Sequence, residues 1–191
     1  MLAVVSRLRP ALALGGVLVV LALLAGTLMF NGGTVRGAAP APTLALEAPA
    51  TARVGQPVTV QLRASGVRNL AGFQSTVAFD AAHVRLDQAT ITQELKGTGR
   101  DLLPLGPVLR PAAVVVGAVT CPVSACASPR YKAKNPALPG VQGRALLAEL
   151  VFTPTAAGRT ELRLDGVQLV DPQGAVLPVT TSNAAIDVIA K

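Results

Sequence analysis

The chain has 191 residues, 51% hydrophobic and 14% charged, with two cysteines, one histidine and no tryptophan; that is room for one ordinary domain plus a leader. Its net charge of +7 is unevenly spread. Three of the 17 basic residues (Arg7, Arg9 and Arg36) lie in or beside the N-terminal apolar run, and the other fourteen face ten acids, so the rest of the chain carries only +4. With no Lys/Arg run and no interleaved aromatics, that balance argues against a nucleic-acid surface.

The first element is an N-terminal hydrophobic helix. Residues 11–30 are apolar throughout, and no charge falls between Arg9 and Arg36. Basic residues ahead of such a run keep the N-terminus inside and send the remainder across the membrane. Residues 1–31 are therefore a signal peptide or a signal anchor. The run is longer than the usual signal core of about 7–15 residues and matches the roughly 20 of a spanning helix. Two small-residue cleavage signals, at 37–39 and 39–41, are each followed by proline (Pro40, Pro42), which a signal protease handles poorly. Val35-Arg36-Gly37 is a third. Cleaved or retained, the segment places the rest of the chain in an extracellular setting, secreted or held to the membrane through residues 11–30.

Residues 32–42, rich in Gly, Ala and Pro, form a linker. From residue 43 to 191, short alternating stretches are separated by turn residues, the pattern of an antiparallel β-sandwich. Pro57 to Ala64 alternates Val58, Val60 and Leu62 against Thr59, Gln61 and Arg63. In Ala71 to Phe79, Phe73, Val77 and Phe79 share one face, and Gln74 and Thr76 the other. Ala112 to Thr120 is a continuous apolar strand whose Gly117 marks a bulge or a close backbone approach. Arg144 to Phe152 turns Leu146, Ala148, Leu150 and Phe152 inward. Strands at 160–164, 167–170, 175–179 and 185–189 come next, with Asp171-Pro172-Gln173-Gly174 as a tight turn. Thr92 to Pro107 and Cys121 to Gly143 break the pattern and read as long loops. In the second, Cys121 and Cys126 suit a local disulfide in an oxidising compartment. The same loop holds the one basic and aromatic cluster, Arg130, Tyr131, Lys132 and Lys134.

The order of these pieces resembles the cohesin domain. The resemblance runs from about residue 44 to 189. It is carried by Val54-Gly55-Gln56-Pro57-Val58-Thr59-Val60, Asn69-Leu70-Ala71-Gly72-Phe73-Gln74, Val77-Ala78-Phe79-Asp80, the segment from Gly143 to Phe152, Gly158-Arg159-Thr160 and the Asp171 turn. It implies an all-β, nine-stranded antiparallel jelly-roll β-sandwich of a kind shared with several carbohydrate-binding modules. It also implies a partner on another chain, since cohesins bind dockerins, small helical calcium-loaded modules, across one sheet face. The Asn and Asp of the dockerin-reading strand fall here on Gly72 and Gln74, so both polar contacts are replaced.

Catalysis finds little support. His83 has no nucleophile elbow to serve, and most of the acids sit in turns or at outward strand positions. No phosphate loop, EF-hand or zinc pattern occurs, so neither cofactor nor metal is expected. Polysaccharide is the alternative partner, and a purely structural surface domain is the other alternative. Sugar platforms use exposed aromatic rings, yet Phe73, Phe79 and Phe152 read as core and only Tyr131 is left to stack. The expected surface is therefore a protein-binding one: Gly72 as a flat gap, Gln74 and Thr76 beside it, and the Arg130–Lys134 loop as a charged rim.

Overall fold

The structure is a computed structural model that describes residues 41–97, 99–123 and 138–191; all lie in the second of the chain's two units, Pro40–Lys191. The N-terminal helix, most of the linker, and Cys126, Arg130, Tyr131, Lys132 and Lys134 lie outside the described residues. Among the described residues, no helix is long and apolar enough to cross a membrane.

Thirteen strands are described: β1 (Thr43–Glu47), β2 (Thr51–Arg53), β3 (Val58–Leu70), β4 (Gly72–Phe79), β5 (Val84–Ile91), β6 (Arg100–Pro104), β7 (Val108–Arg110), β8 (Ala113–Pro122), β9 (Val141–Pro154), β10 (Gly158–Val170), β11 (Val176–Leu177), β12 (Thr180–Ser182) and β13 (Ala184–Ile189). Four of them (β2, β7, β11 and β12) have only two or three residues. The nine others have five or more and make up the expected nine-stranded sandwich. One sheet runs β12-β1-β3-β9-β5. The other runs β2-β13-β10-β4-β8-β6, with β11 added beside β10 and β7 beside β8. Two short pairings, β1–β12 and β13–β2, are parallel, so the sheets are not wholly antiparallel.

Alternation explains the two layers. On β3, Val60, Leu62 and Ala64 are fully buried; on β4, Phe73 and Val77 turn to the same core. Phe79 from one sheet meets Phe152 from the other edge-to-face, ring centroids 5.2 Å apart at 71°. Such a pair adds about 0.5–1.5 kcal/mol beyond its buried area. The Asp171 turn forms as expected: the Asp171 carboxylate accepts the amides of Gln173 and Ala175, each at 2.8 Å.

The inward set on β9 differs from expectation. Leu62 pairs with Ala148 and Arg63 with Leu146, so Leu147 is an extra residue in the ladder. This bulge turns Leu147 and Ala148 both into the core and leaves Leu146 half-buried. The stretch Thr92 to Pro107 is also not a plain loop, because it contains a 3-10 turn at Glu94–Lys96 and the strand β6.

One buried cation fastens this edge of the fold. Arg100 is 2% exposed. Its guanidinium donates to the Thr120 hydroxyl at 2.9 Å, the Thr120 carbonyl at 2.7 Å and the Leu138 carbonyl at 3.0 Å. Nearby, Asn69 stands at φ 62°, a left-handed turn that Asn tolerates, and its side chain accepts the Gly140 amide at 2.7 Å.

Candidate functional site: an apolar strip on one sheet face

The two outward faces of the sandwich differ in chemistry. On the five-stranded sheet the polar side chains satisfy one another. Arg63 donates to Glu47 at 3.1 Å and to Gln61 at 2.7 Å, and Gln61 donates to Glu149 at 3.2 Å. Towards the β5 edge, Asp87 accepts from Arg85 at 2.8 Å and from the Thr153 hydroxyl. These two bonds, Thr153 first, hold its carboxyl below the ordinary carboxylate range. This is a solvated ladder with its hydrogen bonds already made.

The eight-stranded sheet presents something else. Residues opposite each other in neighbouring strands share a face, so the pairing register reads out its outer surface row by row. Val170, Gly72, Val119 and Leu103 form one row. Gln168, Gln74 and Gly117 form the next, continued by Leu105, whose amide donates to the Gly117 carbonyl at 2.7 Å. Asp165, Thr76, Val115 and Val108 make the third, and Arg163, Ala78, Ala113 and Arg110 the fourth. In the second and third rows the face grades from polar or charged on β10 and β4 to apolar on β8, β6 and β7, the first row is apolar throughout, and Arg110 puts a charge at the fourth-row end of β7. Leu103, Leu105 and Val108 are 47%, 46% and 52% exposed, and a contiguous group of this kind marks an interaction surface more often than isolated exposed leucines do.

Of the residues expected from sequence, Gln74 is exposed and Thr76 half-buried on this face, as their alternation requires. Gly72 is not a gap. It is buried, and a Cβ there would lie 2.8 Å from Val170 Cγ2 and 3.1 Å from Val119 Cγ1, because the two flanking valines close over it. At Gly117 the backbone approach is the feature that matters, since a Cβ would lie 3.0 Å from the Phe73 carbonyl oxygen. Cys121 is buried at the end of β8. The apolar members on β6, β7 and β8 were missed because an apolar run such as Ala112 to Thr120 reads as core.

His83 occupies the turn between β4 and β5, its Nδ1 2.8 Å from Asp80 Oδ2. The Ala82 amide and then His83 hold the Asp80 carboxyl below its ordinary value. The His83 carbonyl accepts the Thr155 amide at 2.8 Å, so the pair locks a turn against the start of the next loop. No group of three or more metal-ligating side chains occurs among the described residues.

No protein-family model matches the sequence, and no curated protein does. Solved structures do resemble the fold. A non-cellulosomal cohesin from the archaeon Archaeoglobus fulgidus is 13% identical, with a TM-score of 0.54 over 78% of this chain and 92% of its own. In a type I cohesin–dockerin complex from Clostridium thermocellum, one chain is 9% identical, with a TM-score of 0.61 over 79% and 95%. A type II cohesin domain from the cellulosome of Acetivibrio cellulolyticus is 17% identical, with a TM-score of 0.55 over 77% and 95%. The chain has a cohesin-like fold.

Proposed function

We propose that the chain is a non-catalytic, extracellular protein-binding module that docks a dockerin-type partner on the outer face of β4, β8, β6 and β7. The contrast between the two outer faces carries this reading: one is a closed polar ladder, the other an apolar strip bordered by Gln74, Thr76 and Asp165. Flat apolar surface rimmed by polar groups suits a protein, whereas a small ligand is held in a concavity. Solved cohesin–dockerin complexes of the same fold support the choice of partner. The substitutions at Gly72 and Gln74 imply that such a partner is held mainly by apolar contact. The N-terminal segment exports the domain, and a Cys121–Cys126 bridge fits the oxidising setting.

The test is to capture partners from the native culture with the full chain and measure binding to Val115→Lys and Leu105→Lys. Each substitution places a charge in the strip and is expected to cost at least about 1–2 kcal/mol, a loss on the hot-spot scale. Gln61→Ala, on the opposite sheet, is expected to bind normally. Equal affinity for all three variants would place the interface elsewhere.

A further inference from the structure

Beyond the apolar strip, towards the Ala78 end of the same sheet face, lies a trough of about 590 Å³ that plays no part in the docking proposed for the strip. Its size falls within the roughly 300–1,000 Å³ of small-molecule sites. Ala78, Phe79 and Ala112 line it together with four charged residues, Asp80, Arg159, Glu161 and Arg163. The three β10 residues are exposed and alternate along the strand, so they point the same way. Arg163 stands opposite Ala78, and Ala78 opposite Ala113, so two small residues in a row leave open floor beside the guanidinium.

Two of the four charged groups are already held in place. Arg159 reaches Asp187 at 3.4 Å, and Asp80 is fixed by His83 at 2.8 Å and the Ala82 amide at 2.9 Å. Glu161 and Arg163 make no ion pair among the described residues. A donor fork and a two-oxygen acceptor are thus left free, about 7 Å apart along the strand. The charges of the trough cancel, with two guanidinium groups against two carboxylates. An anion would gain from the arginines what it lost to the carboxylates, and a cation the reverse. A neutral polyol fits both, because each hydroxyl donates and accepts, and its C–H face suits the alanine floor.

We infer that this trough is a binding subsite for a neutral saccharide. Arg163 donates to a pair of ring hydroxyls and Glu161 accepts from a neighbouring one. No tryptophan occurs in the chain to stack on the ring, so binding is weak, on the order of millimolar.

Saturation-transfer NMR on the full chain tests this, using the methyl pyranosides of glucose, galactose, mannose and N-acetylglucosamine at about 10 mM, above the expected Kd. Transfer to at least one sugar is expected. It should fall at least about five-fold in Arg163→Ala, in Glu161→Ala, and also in Arg163→Lys, which keeps the charge but loses the fork. Both positions are exposed, and circular dichroism checks that each variant keeps the fold. Val115→Lys, which disrupts the strip, is expected to leave the sugar signal unchanged, so the two proposals fail separately. No transfer to any of the sugars, equal transfer in all the variants, or transfer only to galacturonate or glycine betaine would overturn the assignment.

Discussion

Thr160 offers a direct test of how this sandwich is held together. It sits on β10, 1% exposed, and its hydroxyl is buried without a hydrogen-bond partner among the described residues. Burying an unsatisfied hydroxyl costs about 1–3 kcal/mol by protein mutational data. Thr160→Val replaces that hydroxyl with a methyl and keeps the β-branched shape, so rotamer restriction is unchanged. The variant is expected to gain about 1–2 kcal/mol, the lower part of that range, because strand neighbours relax partly around the extra methyl. For a domain of this size that corresponds to a rise in Tm of roughly 2–8 °C. Thr160→Ser is the control: it keeps the hydroxyl, removes a buried methyl, and is expected to lose about 1 kcal/mol. Urea denaturation of the three proteins, followed by far-UV circular dichroism, measures both. A neutral or destabilised Thr160→Val would mean that the hydroxyl is satisfied, by water or by movement of its neighbours, and the argument from its burial would fail.

Arg100→Met removes three charge-assisted bonds and strands the carbonyls of Thr120 and Leu138; a loss of at least about 3 kcal/mol is expected in the same urea assay. Asp80 and Asp87 both have lowered folded-state pKa values. Their stabilisation is therefore present above the unfolded carboxyl value and is lost as pH falls through the folded one. Denaturation curves taken between neutral and acid pH should flatten on the acid side in Asp80→Asn and in Asp87→Asn, and unchanged pH dependence would contradict this. Non-reduced peptide mass spectrometry of exported protein is expected to find Cys121 and Cys126 joined, and two alkylatable thiols would refute it.

The alternating strands were legible because each has one wet and one dry face. Phe73, Val77 and Phe79 on β4 followed from period alone, as did the outward Gln74 and Thr76. The Asp171 turn was legible because Pro and Gly have few other uses at that spacing. Leu147 was not. A bulge inserts one residue without changing composition, and only the partner strand reveals which of Leu146 and Leu147 turns inward. Strand β6 was hidden for a related reason: Arg100-Asp101-Leu102-Leu103-Pro104 carries a charge pair, an apolar pair and a proline, with no period of two. The apolar strip was hardest to see. Its apolar members look like core, and what makes them surface is that no layer covers β8 among the described residues, a property of topology rather than of sequence.

The course of the chain through the sandwich bears on how the two proposed sites would be presented. The Pro42 carbonyl accepts the Thr180 amide at 2.9 Å, beside the pairing of Thr43 with Ser65. Lys191 ends against Gly55, its Cε 3.3 Å from where a Cβ would sit, just before β3 begins. Val58 and Ser65 are separated by about 23 Å of extended strand, so the chain enters at one end of the sandwich and leaves at the other. The docking strip lies along the side between those ends. The trough lies towards the exit end, because Arg159 pairs with Asp187 close to the chain's last strand residue. A partner module on the flank and a saccharide in the trough near the far end would approach from different sides. Each site has its own access, so occupancy of one need not block the other.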